Sequence, residues 1–309
     1  MRKIVAIAVT LLLLGYAGIS WYFSGLILFA GSEPYTAAAA TAEVAEVGLT
    51  GIGEPELLTV VNDGVTVAGS YYENPAPAGC AVLALHGRGG NRLGSFWFAK
   101  PFWEQGCHFL AFDSRGFGSS DPADQTYGFY EKEDAVLMYQ WLLDRTGLPP
   151  EDVGLIGVSY GAAVSLQALS LRDDMAFVVA DSPYQSLTQI VTDQGDIQFG
   201  SWTRMFLPGA FWLTEQRADM NVAAVAPLET VRGAQTPILL IHAREDAYTL
   251  ASHSEAIYAN SNPATTELVI TDWGAAHGRS VLVDYEGYTT LLADFIQAQA
   301  PDFGAQGKE

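Results

Sequence analysis

The chain is short of positive charge. Lys3, Lys100, Lys132 and Lys308 are its lysines, and 35 acidic residues face 15 basic ones, for a formal net charge of −20 over 309 residues. Such a surface repels phosphate backbones, which excludes nucleic acid as an expected partner. It also offers no basic face to anionic lipid. Cysteine is nearly as scarce. Cys80 and Cys107 cannot build a four-ligand structural zinc site, no His-rich cluster helps them, and H-E-x-x-H is absent. The glycine turn Asp113–Ser120 lacks the third glycine of a dinucleotide fingerprint, and no Walker lysine motif occurs. No metal and no cofactor are expected. Charged residues make up 16% against 49% hydrophobic, so the chain can bury a large core rather than remain disordered.

Charge is missing altogether from Ile4 through Ala30. That run exceeds the roughly 20 apolar residues a helix needs to cross a bilayer, with Tyr16, Trp21, Tyr22 and Phe23 in its second half, where interfacial aromatics sit. A cleaved signal peptide is the competing reading, but its apolar region is usually about 7–15 residues. Residues 1–30 are therefore read as a single-pass transmembrane anchor. Arg2 and Lys3 hold the N-terminus in the cytoplasm and leave everything after Ala30 on the extracytoplasmic side. Residues 31–55 read as a linker, 56–300 as the main domain and 301–309 as a tail. Cys80 lies six residues before His86 and Cys107 six before Asp113. If both begin neighbouring strands, a disulfide is open to them and an exported domain allows it; two buried thiols are the equal alternative.

After the linker, Leu57–Val61 and Val65–Tyr72 flank Asn62-Asp63-Gly64, a hairpin turn. Ala81–Leu85, Phe109–Phe112, Val153–Gly157, Phe177–Ala180, Pro237–Ile241 and Glu267–Thr271 are short apolar runs suited to parallel strands buried on both faces. Helix-length pieces separate them, including Tyr130–Arg145, Ala162–Leu171, Ser252–Asn260 and Tyr285–Ala298. The pattern predicts an α/β fold with a mostly parallel central sheet and flanking helices. About fifty residues, 183–233, exceed an ordinary crossover and read as an inserted cap. Its aromatics either line an apolar pocket or pack the cap onto the body.

Gly157-Val158-Ser159-Tyr160-Gly161 matches G-x-S-x-G between a strand and a helix, where small neighbours let a serine hydroxyl project above the sheet. A serine needs a base, and the base needs an orienting acid. In this architecture the order is Ser, acid, His. His277 lies in a Gly/Ala-rich loop after the last strand, free to reach Ser159. His242, at a strand end, reads as packed structure, and His253 falls early in a helix. Asp246 is the preferred acid, with Asp181 its rival, while Glu245 would point elsewhere. The glycine-rich run His86–Gly90 and the elbow offer the backbone N–H groups of Arg88 and Tyr160 as oxyanion donors. The Arg88 side chain is expected to face solvent, and the Asp113 turn to be structural.

Together these segments resemble the α/β-hydrolase superfamily over about residues 55–299. They look most like its membrane-anchored, small-capped branch, related to depalmitoylase-like proteins and bacterial acyl-peptidase or esterase homologues. The similar pieces are Leu85–Arg92, Asp113–Ser119, the elbow, Asp181-Ser182-Pro183, Ile241–Asp246 and the His277 loop. The resemblance implies a nucleophile at Ser159, an acid at Asp246, a base at His277 and oxyanion donors at Arg88 and Tyr160. His242-Ala243 departs from the family's frequent His-Gly. The expected activity is hydrolysis of an ester, thioester or amide of a small or acylated substrate through an acyl-serine. A non-hydrolytic acyltransferase or haloperoxidase on the same scaffold, and a catalytically silent binding protein, are the alternatives.

Overall fold

The computed structural model describes residues 1–305. The part of the 301–309 tail from 306 onward lies outside the described residues. Asp63 and Gly64 both take positive φ (54° and 79°), the backbone a two-residue hairpin needs. They fold β1 (Glu56–Asn62) antiparallel onto β2 (Val65–Tyr72). The apolar runs then form β3 (Ala81–Leu85), β4 (His108–Phe112), β5 (Val153–Val158), β6 (Val178–Asp181), β7 (Ile238–Ala243) and β8 (Thr266–Thr271). Among the described residues the sheet has eight strands in the order β1-β2-β4-β3-β5-β6-β7-β8. The β1/β2 and β2/β4 steps are antiparallel and the others parallel. β3, β5 and β7 are buried at every position, because crossover helices cover both faces.

Two helices precede the sheet, α1 (Arg2–Leu28) and α2 (Ala37–Val47). The stretch 31–55, read as a linker without periodicity, thus contains a helix. Its causes are local. Four consecutive alanines favour helix, the Thr36 side chain accepts the Ala39 N–H at 3.1 Å, and Gly48 closes the end at φ 74°. Ala40 and Val47 bury against α3 (Phe96–Glu104), whose core cluster also takes in Phe109 and Ala111 of β4. α4 (Glu131–Thr146) and α5 (Tyr160–Ala168) cover the opposite face.

The long segment between β6 and β7 is helical: α6 (Leu187–Phe199), α7 (Leu207–Ala218) and the single turn α8 (Pro227–Thr230). After β7 come α9 (Ser252–Asn260), the short α10 (Ser280–Val283) and α11 (Tyr285–Gln299). α1 has a mean hydropathy of 2.1 over its most apolar window, long and apolar enough to cross a membrane. Its last turns behave differently from the rest. Ser20, Phe23, Ser24, Ile27 and Leu28 form a buried stripe at helical spacing, and α7 lies against it. A Cβ on Gly209 would come 2.5 Å from the Ser20 hydroxyl, so glycine lets the two helices approach closely.

Cys80 and Cys107 are joined as a disulfide across 27 residues of sequence. The register explains the pairing: Ala81 lies opposite His108 in the parallel β3/β4 ladder, so the preceding cysteines meet at the same height. In the chain-entropy account a loop of this size contributes about 3–4 kcal/mol. Urea unfolding of Cys80→Ser/Cys107→Ser should show a loss of that order relative to the oxidised chain, and dithiothreitol should have no further effect on the variant. An unchanged midpoint would contradict the estimate.

Candidate active site

Ser159 occupies the turn from β5 into α5 at φ 54° and ψ −111°, a region costing a non-glycine residue of order 1–3 kcal/mol. Its neighbours show why the turn demands small residues. A Cβ on Gly157 would lie 2.5 Å from the Gly161 backbone, and one on Gly161 would lie 2.5 Å from the Leu85 carbonyl oxygen. The Ser159 N–H donates to the Asp181 carbonyl at 2.7 Å, tying the turn to the end of β6.

His277, in the loop after β8, spans the gap between two other groups. Its Nε2 is 2.7 Å from the Ser159 Oγ, and its Nδ1 is 2.6 Å from Asp246 Oδ2. A carboxylate can only accept, so Nδ1 carries the proton and Nε2 is left to accept from the serine hydroxyl. Asp246 is held in turn: its Oδ1 accepts the N–H groups of Tyr248 and Thr249, both at 2.9 Å. Burial opposes the charge on Asp246. The contacts of His242 and His277, with the Thr249 N–H, outweigh it and hold the carboxyl well below the usual carboxylate range. His242 is buried structure: its ring bonds the Ser254 hydroxyl and the Thr249 carbonyl, both at 2.7 Å.

Asp181 and Glu245 stand apart from this series. Glu245 is exposed. Asp181 is fully buried at the end of β6, accepts the Ser182 hydroxyl at 2.8 Å, and among the described residues makes no hydrogen bond to His277. Burial pushes its carboxyl up to about 6, against the lowering effect of the Ser182 hydroxyl.

The glycine-rich turn after β3 reaches Ser159 from the other side, where a Cβ on Gly87 would meet the Ser159 Cβ at 3.7 Å. His86 braces it, accepting the Ser114 N–H at 3.0 Å on Nε2 and donating from Nδ1 to the Gly87 carbonyl at 2.7 Å. Asp113 ties the two glycine turns together. It accepts the Arg92 N–H (2.7 Å), the Arg92 guanidinium (2.8 Å) and the Ser119 N–H (2.7 Å). Among the described residues, the backbone N–H groups of Arg88 and Tyr160 have no protein acceptor.

The Arg88 side chain corrects the sequence reading. It does not face solvent but donates to the Leu26 and Ile27 carbonyls, both at 2.8 Å, and to Gln125 at 3.2 Å. The last carbonyls of a helix lack intrahelical partners, and a guanidinium satisfies them. Nothing in the Arg88 sequence neighbourhood signals a partner 61 residues upstream.

Two spaces meet at Ser159. One is a cavity of about 210 Å³ lined by Phe23, Ile27, Tyr127, Tyr184, Ile190 and Leu207. The other is a wider and more polar cleft that also reaches His277, edged by Glu43, Glu46, Asn91 and Arg279 with Trp97 and Leu282 beside them. Burial first, then Glu46 and Glu33, pushes the Glu43 carboxyl up. The cap aromatics thus divide between pocket and packing. The α1 wall of the cavity was not legible in the sequence; its faint signals are Ser20 and Ser24, polar and four residues apart in an apolar helix.

Residues 82–289 match the model of the Alpha/beta hydrolase family. The chain belongs to that family. The hydrolase is 28% identical to the uncharacterized protein YqkD of Bacillus subtilis over 73% of this chain and 74% of that one. It is 24% identical to a lysophosphatidylserine lipase of Danio rerio over 71% of this chain and 59% of the lipase, so less than two thirds of that relative is matched. In structure it resembles an esterase of Pyrococcus furiosus, with TM-score 0.67 and 22% identity over 89% of this chain and 98% of the esterase. A likeness at that identity speaks for the fold alone.

The two carboxylates make different predictions. Asp246→Asn removes the acceptor that fixes the His277 tautomer and should lower kcat by about 10⁴-fold, whereas Asp181→Asn should leave kcat within a few-fold. Asp181 instead carries a pH signature. Its folded value is raised, so its contribution to stability is complete below the ordinary value of 3.8 and is lost as pH rises through about 6. Thermal melts at pH 4 and pH 8 should therefore differ less in Asp181→Asn than in the parent hydrolase.

Proposed function

We propose that this hydrolase cleaves ester or thioester bonds of acylated substrates through an acyl-serine intermediate. The hydrogen-bonded series Ser159–His277–Asp246 carries the proposal. The Ser159 Oγ attacks the acyl carbonyl as its proton passes to His277 Nε2, and Asp246 stabilises the imidazolium that forms. The tetrahedral oxyanion takes the N–H groups of Arg88 and Tyr160, aimed at the charge that develops. The imidazolium then protonates the departing alcohol or thiol, which leaves through the polar cleft. Water enters, gives its proton to His277 and attacks the acyl-serine carbonyl. Collapse breaks the ester to Ser159 Oγ, the imidazolium returns the proton to Oγ, and a carboxylic acid leaves.

Ester and thioester are preferred to amide because the cavity beside Ser159 is largely apolar and suits an acyl chain. The lysophosphatidylserine lipase among this chain's sequence relatives points the same way. We read α1 as a retained anchor with the domain outside the cytoplasm. Arg2 and Lys3 at its start and a disulfide in the domain support that placement.

The purified full-length chain should hydrolyse p-nitrophenyl esters, with longer acyl chains than acetate preferred. Ser159→Ala should reduce turnover by at least about 10⁴-fold and abolish labelling by a fluorophosphonate probe. Equal rates for parent and variant across the chain-length series would sink the proposal.

A further inference from the structure

The cavity beside Ser159 has a wall that the hydrolase domain does not supply. Phe23, Leu26, Ile27 and Phe29 line it from the end of α1 and the residue after it. That wall is fixed by polar bonds as well as packing. Arg88 holds the Leu26 and Ile27 carbonyls, and the Gln125 side chain brackets Ala30, bonding its N–H at 2.9 Å and its carbonyl at 3.0 Å. Ser24 receives the Thr214 hydroxyl and the Arg217 guanidinium from α7, each at 3.1 Å. Removal of α1 as a signal peptide would open the cavity and strand these partners.

Depth along α1 decides what surrounds that wall. Counted from Ile4, about 20 residues at about 1.5 Å each cross a hydrocarbon core and end near Phe23. The cap meets α1 before that point. The Tyr16 ring stacks on Phe206 at 5.3 Å, the Ser20 hydroxyl donates to the Phe206 carbonyl at 3.4 Å, and Phe23 packs on Phe199 at 5.5 Å. Met205–Leu213 carries no charge, yet Met205 is 65% exposed and Trp212 59%. A water-facing cap would not display them beside an equally exposed apolar helix. The cavity's mouth lies in the same zone, since Leu26, Phe29 and Phe199 line the cavity and are also exposed.

We propose that Met205–Leu213 sits in the bilayer leaflet on the domain's side and that the substrate is a membrane-resident acyl amphiphile. Its acyl chain enters sideways between α1 and the cap, and its head group rests in the polar cleft across Ser159. Arg88 and Arg279 offset Glu43 and Glu46 around the cleft, so it is the net charge of −20 that favours an uncharged head group over an anionic one. The proposal depends on α1 being a retained anchor and on acyl hydrolysis at Ser159.

The test uses the full-length chain in neutral phosphatidylcholine vesicles. An environment-sensitive dye on Met205→Cys should emit blue-shifted light and be quenched by spin-labelled lipid, while the same dye on Leu137→Cys, on α4, should do neither. Met205→Glu/Trp212→Glu should cleave monooleoylglycerol dispersed in the vesicles at least tenfold more slowly than the parent, and soluble p-nitrophenyl butyrate at the parental rate. Aqueous emission at position 205 would overturn the proposal, as would blue-shifted emission without lipid quenching, the signature of cover by a second copy. So would parental rates of the double variant on both substrates. Failure of the hydrolase reading looks different: the unmodified chain would cleave neither ester.

Discussion

The constraint on which the site depends is the crossing of the elbow under the glycine turn after β3. Gly161 lies so close to the Leu85 carbonyl that a single added carbon would overlap it, and Gly157 lies as close to Gly161. This contact puts β3 and β5 side by side with their C-terminal ends at one level. It holds Ser159 in a left-handed backbone conformation that no local preference would choose. With the elbow fixed, the remaining groups need only arrive from the ends of neighbouring strands: Asp246 after β7, His277 after β8, and the Arg88 and Tyr160 N–H groups from β3 and from the elbow itself. The parallel sheet is thus the ruler against which the polar series is set out.

How much of this was legible in the sequence follows from the range of the forces involved. Strands buried on both faces leave continuous apolar runs, so six of them could be read to within a residue or two at each end. The Ser159, Asp246 and His277 order is imposed by topology, so it survives in one dimension. The preference for Asp246 over Asp181 needed geometry to check, because both lie at or just past the end of a strand that follows Ser159 and both are buried. The choice turns on which carboxylate is within hydrogen-bond reach of Nδ1, a matter of one loop's path. α2 was hidden for the opposite reason. Its Ala-rich sequence has high propensity but little periodicity, and the two local caps at Thr36 and Gly48 carry the signal instead.

Arg88 shows what a sequence cannot disclose. As one residue of a glycine-rich turn, its long side chain has no local partner, and solvent is the natural expectation. The fold brings the open end of α1 to it, and unsatisfied helix carbonyls make a better partner than water when the surroundings are apolar. The guanidinium also lies 5.0 Å over the Tyr127 ring, in the wall of the cavity. A long-range polar contact of this kind has no periodicity and no spacing rule.

That contact carries a consequence for how the parts work together. The backbone N–H of Arg88 is the proposed oxyanion donor, and its side chain grips the last turn of α1. One residue therefore belongs both to the proposed reaction centre and, through its side chain, to the end of α1. Gln125 grips the next residue of the chain, Ala30, and Ser24 is held by α7 of the cap. Displacement of α1 would pull on the glycine turn and the cap together, and interiors packed this closely transmit such strain rather than absorb it. An anchor that merely tethered a domain would need none of these bonds, since a flexible linker suffices to hold a protein near a membrane. The bonds make sense if the position of α1 is itself part of the site, with the apolar wall and the oxyanion turn held in register by the same side chain.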